Sequence, residues 1–209
     1  MENYEELNFK TGDLLLFDFE NYSGFGIFSY LIKKYTKSKY SHIGMIVKDP
    51  EFTEEELPKG YYLWHSDWTG YPDPQDGKKK LGVQLTHLDE ILDFYKQNKS
   101  FVFLRRIHCD EKYFKNDTLK KIHRVVYDKP YDINPKDWFQ ALRRKDSEPQ
   151  KTNRFWCSAL VGYIYTRCGL LNNNTDWSIL RPSDFSIEYN EILQFINDCY
   201  LDTEEIKII

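Results

Sequence analysis

The chain has 209 residues and a mass of 25.2 kDa, enough to bury about 70% of its unfolded surface around one core without staples. With 41% hydrophobic and 30% charged residues, ten glycines and eight prolines, it is neither disordered nor collagen-like nor of low complexity. A net charge of -4 and a pI near 5.8 exclude the global basic excess of an autonomous nucleic-acid binder, and the sequence offers neither a long apolar run nor a basic-then-apolar leader, so no transmembrane segment or secretory signal is expected.

The Gly12–Asp13 turn leading into LLLFDF predicts a first strand within residues 11–19. Residues 23–35, SGFGIFSYLIKKY, put Phe25, Phe28, Ile32 and Tyr35 at helical spacing behind a Ser23 cap and predict a helix. SHIGMIV (41–47) and YYLWHSDW (61–68) read as strands joined by the acidic, proline-bearing loop 50–60. TGYPDPQDGKKK (69–80) reads as a loop free to act as a flap. THLDEILDFYKQ (86–97) predicts a helix with Thr86 and Asp89 as an approximate capping box. FVFLRRI (101–107) predicts a strand, NDTLKKIHRVVYD (116–128) a helix, and 130–144 an irregular start with a short helix after Pro135. The clearest helix is TNRFWCSALVGYIYTRCG (152–169), with Thr152 or Asn153 as its cap and Gly169 at its end. The tail DTEEIKII is either disordered or a final strand. Strands in the first half with helices around them predict a single α+β domain over 1–209, with a mainly antiparallel sheet and a flexible stretch at about 1–10.

The four cysteines, Cys109, Cys157, Cys168 and Cys199, form no CxxC pair, so neither a disulfide framework nor a zinc knuckle is expected, and a reducing, intracellular compartment is. Cys157 stands apart because it falls in the first turn of the 152–169 helix, where free N–H groups and the helix dipole favour a thiolate. The competing role is that of a small buried apolar residue. Cys109, Cys168 and Cys199 read as packing residues. Among the five histidines, His87 and His123 read as surface residues and His108 as the end of a strand, whereas His42 and His65 lie within strands. On adjacent antiparallel strands such residues come within about 5 Å at Cβ, close enough for one imidazole to orient the other. His65 and Asp67, with His42 or Cys157, also satisfy the pattern of a metal site, because residues i and i+2 share a strand face.

The ordered set TGDLLLF, SHIGMIV, LWHSDW, GVQLTHLDEIL, KPYDINP, FWCSALVGYIY and LRPSDFS resembles the permuted papain-like hydrolases of the NlpC superfamily, nearest to the branch with bacterial YiiX-like and poxvirus homologues. The resemblance runs from about Thr11 to Phe185. It implies a circularly permuted papain-like (NlpC-type) α+β fold with the nucleophile at a helix N-terminus: Cys157 as nucleophile, His42 as general base, and His65 as the third, orienting residue, a position often held by Glu in that branch. Asp67 is the substitute for the third role, while Trp64, Tyr131 and Asp132 are expected beside the site as structural or substrate-contacting residues. The implied activity is thiol-dependent cleavage of an amide, peptide or ester bond through an acyl-enzyme, or acyl transfer, on a small-molecule, lipid or peptide substrate, without a cofactor. His42 would take the Cys157 proton, or the two would rest as an ion pair. The alternative is a catalytically silent module that uses the same cleft to bind a peptide, lipid or partner protein.

Overall fold

The computed structural model describes residues 7–19, 33–34, 38–132, 152–189 and 191–209. The helix expected at 23–35, apart from 33 and 34, and the short helix after Pro135 lie outside these residues. In chain order the elements are β1 (Leu14–Asp18), β2 (His42–Lys48), β3 (Tyr61–Asp67), β4 (Gly82–His87), α1 (Leu88–Gln97), β5 (Phe101–Arg105), β6 (Ile107–His108), α2 (Asn116–Val126), α3 (Cys157–Arg167), β7 (Tyr200–Leu201) and β8 (Ile206–Lys207). Six strands form one sheet in the order β4-β3-β2-β1-β5-β8, and β6 pairs with β7 in a short ribbon. Every strand pair is antiparallel, which makes the described chain a mixed α+β structure on a mostly antiparallel sheet. None of its described helices is long and apolar enough to cross a membrane.

The sheet is buried on both faces, and strand alternation sorts its side chains. Leu14, Leu16, Ile43, Met45, Tyr62, Trp64 and Leu85 pack with α2 and α3, while Leu15, Phe17, Ile46, Leu63, Val102 and Leu104 pack with Leu88, Ile91, Leu92 and Tyr95 of α1. The buried Asp13 carboxylate anchors the first turn by accepting the N–H groups of Lys10 and Ile107 at 2.9 and 3.1 Å. Gly12 there has φ +103 and sits so close to Phe114 that a Cβ would lie 2.3 Å from its ring.

The structure corrects several expectations. GVQLTH, residues 82–87, is a strand, and Thr86 is a buried strand residue opposite Leu63 rather than a helix cap. Because Val83 and Leu85 face one core and Gln84 and Thr86 the other side, polar residues point inward and hide the strand pattern. Accordingly α1 starts at Leu88 without a side-chain cap. The 152–169 helix is shorter, Cys157–Arg167, with Trp156 rather than Thr152 or Asn153 before it. The preceding residues are extended because Phe155 N–H donates to Pro130 O and Phe155 O accepts from Asp132 N–H.

His123 is buried rather than on the surface, 2.6 Å from Gln75 Oε1 and against the rings of Phe52, Trp64 and Tyr127. The 69–80 loop that supplies Gln75 is knit to the body. Its buried Asp73 and its Asp76 lie 3.1 and 2.9 Å from Lys80 Nζ, which also reaches Asp128 at 3.3 Å. The tail contributes β8, with Phe103 opposite Lys207 and Leu104 opposite Ile206.

Three histidines are thus buried and neutral: desolvation lowers His42 and His65 to about 3 and His123 to about 4. Their folded values lie below the unfolded value of about 6.5, so the stability they contribute is complete above pH 6.5 and declines as the pH falls toward the folded values. Urea unfolding at pH 7 and 5.5 is expected to show this loss, and His123→Gln to remove about 1 kcal/mol of it. An unchanged pH slope in His123→Gln would mean that the ring protonates in the folded chain.

Candidate functional site

The site forms where β2 and β3 part. Their pairing runs from Lys48 opposite Tyr61 to Met45 opposite Trp64 and stops there, although β3 stays paired with β4 as far as Asp67 opposite Gly82. Continued in register, Ile43 would face Ser66. Instead the Ile43 N–H donates to the Cys157 sulfur, and Ser66 Oγ donates to Phe155 O at 2.7 Å. The chain entering α3 is therefore wedged into the open end of the sheet, and its first helical residue, Cys157, takes over a backbone donor that a β-ladder would otherwise satisfy. The N–H groups of Cys157 and Ser158 also point at the sulfur, as expected for the first turn of a helix.

Two segments brace this turn. Leu180 O accepts from Ser158 Oγ at 2.7 Å and from Trp156 Nε1 at 3.2 Å. It belongs to the LRPSDF segment, folded by Asp184 Oδ2 accepting the Arg181 N–H at 3.0 Å. On the other side KPYD acts as a short strand: Val83 N–H donates to Lys129 O, Tyr131 N–H to Leu81 O, and Tyr131 bridges to Phe155. Gly82 permits this docking, since a Cβ there would lie 2.3 Å from Lys129 O. KPYD thus joins the sheet edge to the extended segment that leads into α3, with Asp132 3.7 Å from Arg154.

His42 and His65 share the sheet face that carries α1. His42 Nε2 lies 3.1 Å from His65 Nδ1, His65 Nε2 lies 3.0 Å from Thr86 Oγ1, and Asp67 Oδ2 lies 3.6 Å from His42 Nε2. Phe17 covers the His42 ring, with centroids 5.1 Å apart. Two acceptors, His65 Nδ1 and the Asp67 carboxylate, thus face His42 Nε2, and they favour the tautomer with its proton on Nε2 and a basic Nδ1. In that arrangement His65 donates from Nε2 to Thr86. No described group hydrogen-bonds to His42 Nδ1, and no hydrogen bond joins Cys157 to His42 among the described residues.

Burial sets the charge state. The Cys157 thiol, 2% exposed, is pushed up to about 12 by desolvation, with the Asp67 charge adding to it and the three N–H donors opposing it. Since the imidazole of His42 is also held neutral, the resting pair is a thiol and an imidazole, and the ion pair left open by the sequence is disfavoured on both sides. Asp67 stands at the rim with 32% of its side chain exposed, its carboxyl raised by desolvation. Tyr95 and Tyr131 are phenols raised well above their usual value by burial, and both feel the charges of Cys157 and Asp67.

Of the residues expected here, the geometry brings together His42, His65 and Asp67, with Cys157 reaching the backbone next to His42 and Tyr131 close by. Asp132, next in the chain, faces Arg154, and its charge reaches the Tyr131 phenol. Trp64 does not join: it stacks on Phe52 on the opposite face, with centroids 4.9 Å apart. Thr86, Tyr95 and the Ile43 N–H were not anticipated. Alternation across 82–87 carries a signal for Thr86, whereas a backbone donor has none.

No protein-family model and no curated protein matches the sequence. The fold has a solved counterpart, described as metalloprotein yiiX from Escherichia coli O157:H7, DUF1105, which aligns with a TM-score of 0.50 at 15% identity over 94% of this chain and 98% of that one. The chain has a YiiX-like fold. At this identity the likeness concerns the fold alone.

Thr86→Val keeps the shape of the side chain but strands a buried imidazole nitrogen. It is expected to lower stability by about 1–3 kcal/mol in urea unfolding, while Thr86→Ser stays near wild type. Equal losses in the two variants would assign the effect to packing.

Proposed function

We propose that this protein is a thiol hydrolase or acyltransferase of the permuted papain-like type, acting on an amide, peptide or ester bond through an acyl-enzyme on Cys157. One observation carries the reading: the sulfur at the start of α3 receives the N–H of the residue that follows His42, while Nε2 of His42 is engaged by His65 and Asp67 and its Nδ1 is left for a proton.

In the proposed cycle the Cys157 sulfur attacks the carbonyl carbon as its proton passes to His42 Nδ1. Backbone N–H groups at the helix start stabilise the oxyanion. The imidazolium, supported by Asp67 and by the His65–Thr86 pair, gives its proton to the leaving amine or alkoxide. Water, or an acceptor nucleophile, then loses a proton to His42 and attacks the thioester, which frees the thiol. Because burial disfavours the separated charges at rest, proton transfer accompanies attack rather than preceding it. The partner is a small-molecule, lipid or peptide substrate bearing an acyl or amide group, and a reducing intracellular compartment suits a working thiol.

The test is incubation with activated acyl esters of graded chain length, followed by mass mapping. A single acyl adduct on Cys157 is expected, lost in Cys157→Ala, with turnover in His42→Ala lower by about 10²–10⁴-fold. Adducts scattered over lysines and the other cysteines, or turnover indifferent to Cys157→Ser, would reduce the protein to a binding module.

A second reading is favoured by the cluster itself: ligand atoms of His42, His65 and Asp67 lie within 4.8 Å of one another, and the structural counterpart is named a metalloprotein. The 3.1 Å between the two imidazole nitrogens is close to the roughly 3.3 Å separating two ligands on one tetrahedral zinc. The Thr86 contact is also the kind of outer hydrogen bond that orients a ligating histidine. In this reading the three side chains hold a divalent cation, which would act as a Lewis acid, and Cys157 is not the nucleophile. Metal analysis of purified protein decides between the two. Activity that survives chelation and a metal content near zero are expected for the thiol enzyme, whereas stoichiometric metal that is lost in His65→Ala and needed for stability would replace it.

A further inference from the structure

The cysteines outside the site include a second arrangement that the proposed chemistry does not use. In the β6–β7 ribbon Ile107 is opposite Leu201 and His108 is opposite Tyr200. Carried one step beyond the last paired residues, this register sets Cys109 opposite Cys199. The Asp202 N–H donates to Arg106 O at 2.8 Å, so 106/202 and 108/200 are the hydrogen-bonded positions and 109/199 is a non-hydrogen-bonded one. At such positions opposing Cα atoms approach to about 4.5 Å, inside the range of roughly 4.4–6.8 Å that a disulfide spans. The two side chains already meet, since the thiols are hydrogen-bonded to each other. All four cysteines are free thiols, and Cys109 is partly exposed, which gives a reagent access to the pair.

We propose that Cys109 and Cys199 are a redox pair that closes to a cross-strand disulfide by exchange with a low-molecular-weight disulfide. One thiolate attacks a sulfur of the reagent, breaking its S–S bond and releasing one small thiol. The second protein thiol, losing its proton, then attacks the mixed disulfide and expels the second small thiol. Two protein thiols are oxidised to one S–S bond and the reagent is reduced to two thiols. Desolvation raises both protein thiols, Cys109 to about 12, so exchange is slow near neutral pH and accelerates on the alkaline side.

The bond would fasten the tail to the body of the molecule. Beyond Cys199, the Asp202 carbonyl accepts from Arg105 Nε at 3.0 Å. Glu205 accepts from the Tyr40 hydroxyl and from the Ile187 N–H, and Ile206 and Lys207 pair with β5. Tyr40 is two residues before His42, so the fastened tail braces the approach to β2. The clasp includes none of His42, His65, Asp67 or Cys157, and its test is independent of the proposed activity.

Cys168 is the rival partner, being buried and electrostatically coupled to Cys109. The full chain is incubated with oxidised glutathione at pH 8, blocked with an alkylating reagent, and digested without reduction. A Cys109–Cys199 linked peptide is expected, with Cys157 and Cys168 still open to alkylation after unfolding. Closing a loop of roughly 90 residues should raise the thermal midpoint by about 10 °C over the reduced chain. Cys109→Ser and Cys199→Ser should each abolish the link and the shift, and Cys168→Ser neither. Linkage of Cys109 to Cys168, a stable glutathione adduct without ring closure, or a link that leaves the midpoint unchanged would overturn the proposal. Because the peptide is read from the native sequence, the result stands even if a serine variant fails to fold.

Discussion

The separation of β2 from β3 beyond Met45 and Trp64 is the constraint on which the site depends. Backbone donors inside a sheet must be satisfied, and where the ladder ends early the Ile43 N–H is met by sulfur instead of a carbonyl. The same gap lets Ser66 hold Phe155 O, which fixes the strand leading into α3. A helix that packs on one face of the sheet thereby delivers its first side chain to the sheet's end, next to the backbone of a histidine whose ring belongs to the other face. KPYD and LRPSDF are the two supports of this wedge, one through Pro130 and Tyr131 and the other through Leu180.

A second consequence concerns charge. His42 and Cys157 are both deeply buried, and each alone is held neutral by desolvation. The polar groups around them, His65, Thr86 and Asp67, do not create a resting ion pair. They select a tautomer, with the proton on His42 Nε2 facing His65 Nδ1 and Asp67. A buried polar network of this kind is stable only if its members are partnered, and His65, with no exposed surface, has a partner on each ring nitrogen.

Much of the architecture was legible because it rests on local pattern. The strands at 14–18, 42–48, 61–67 and 101–105 and the helices at 88–97 and 116–126 follow from runs of apolar residues at period 2 or 3.6. GVQLTH does not show as a strand in the sequence, because both of its faces are buried and inward-facing Gln84 and Thr86 break the apolar alternation. The charged neighbours of His123 on its helix point it to solvent in the sequence. Its burial comes from Gln75 and Phe52, which are 48 and 71 residues away in sequence. Adjacency in sequence sets Trp64 beside His65, but strand alternation sends it to the opposite face.

For the site, the sequence by itself determined the identity of the groups that gather there. A cysteine opens an apolar helix, two histidines lie in strands, and a carboxylate two residues beyond one of them shares its face, all fixed by spacing of a few residues. Only the tertiary structure decided how these groups meet: which nitrogen of His42 is engaged, that Thr86 closes the imidazole pair, and that Ile43 serves the sulfur. The reason is physical. Periodicity encodes which face a side chain takes within its own element, whereas the point at which two strands part, and the strand end wedged between them, are set by contacts between segments some ninety residues apart, as Ser66 and Phe155 are.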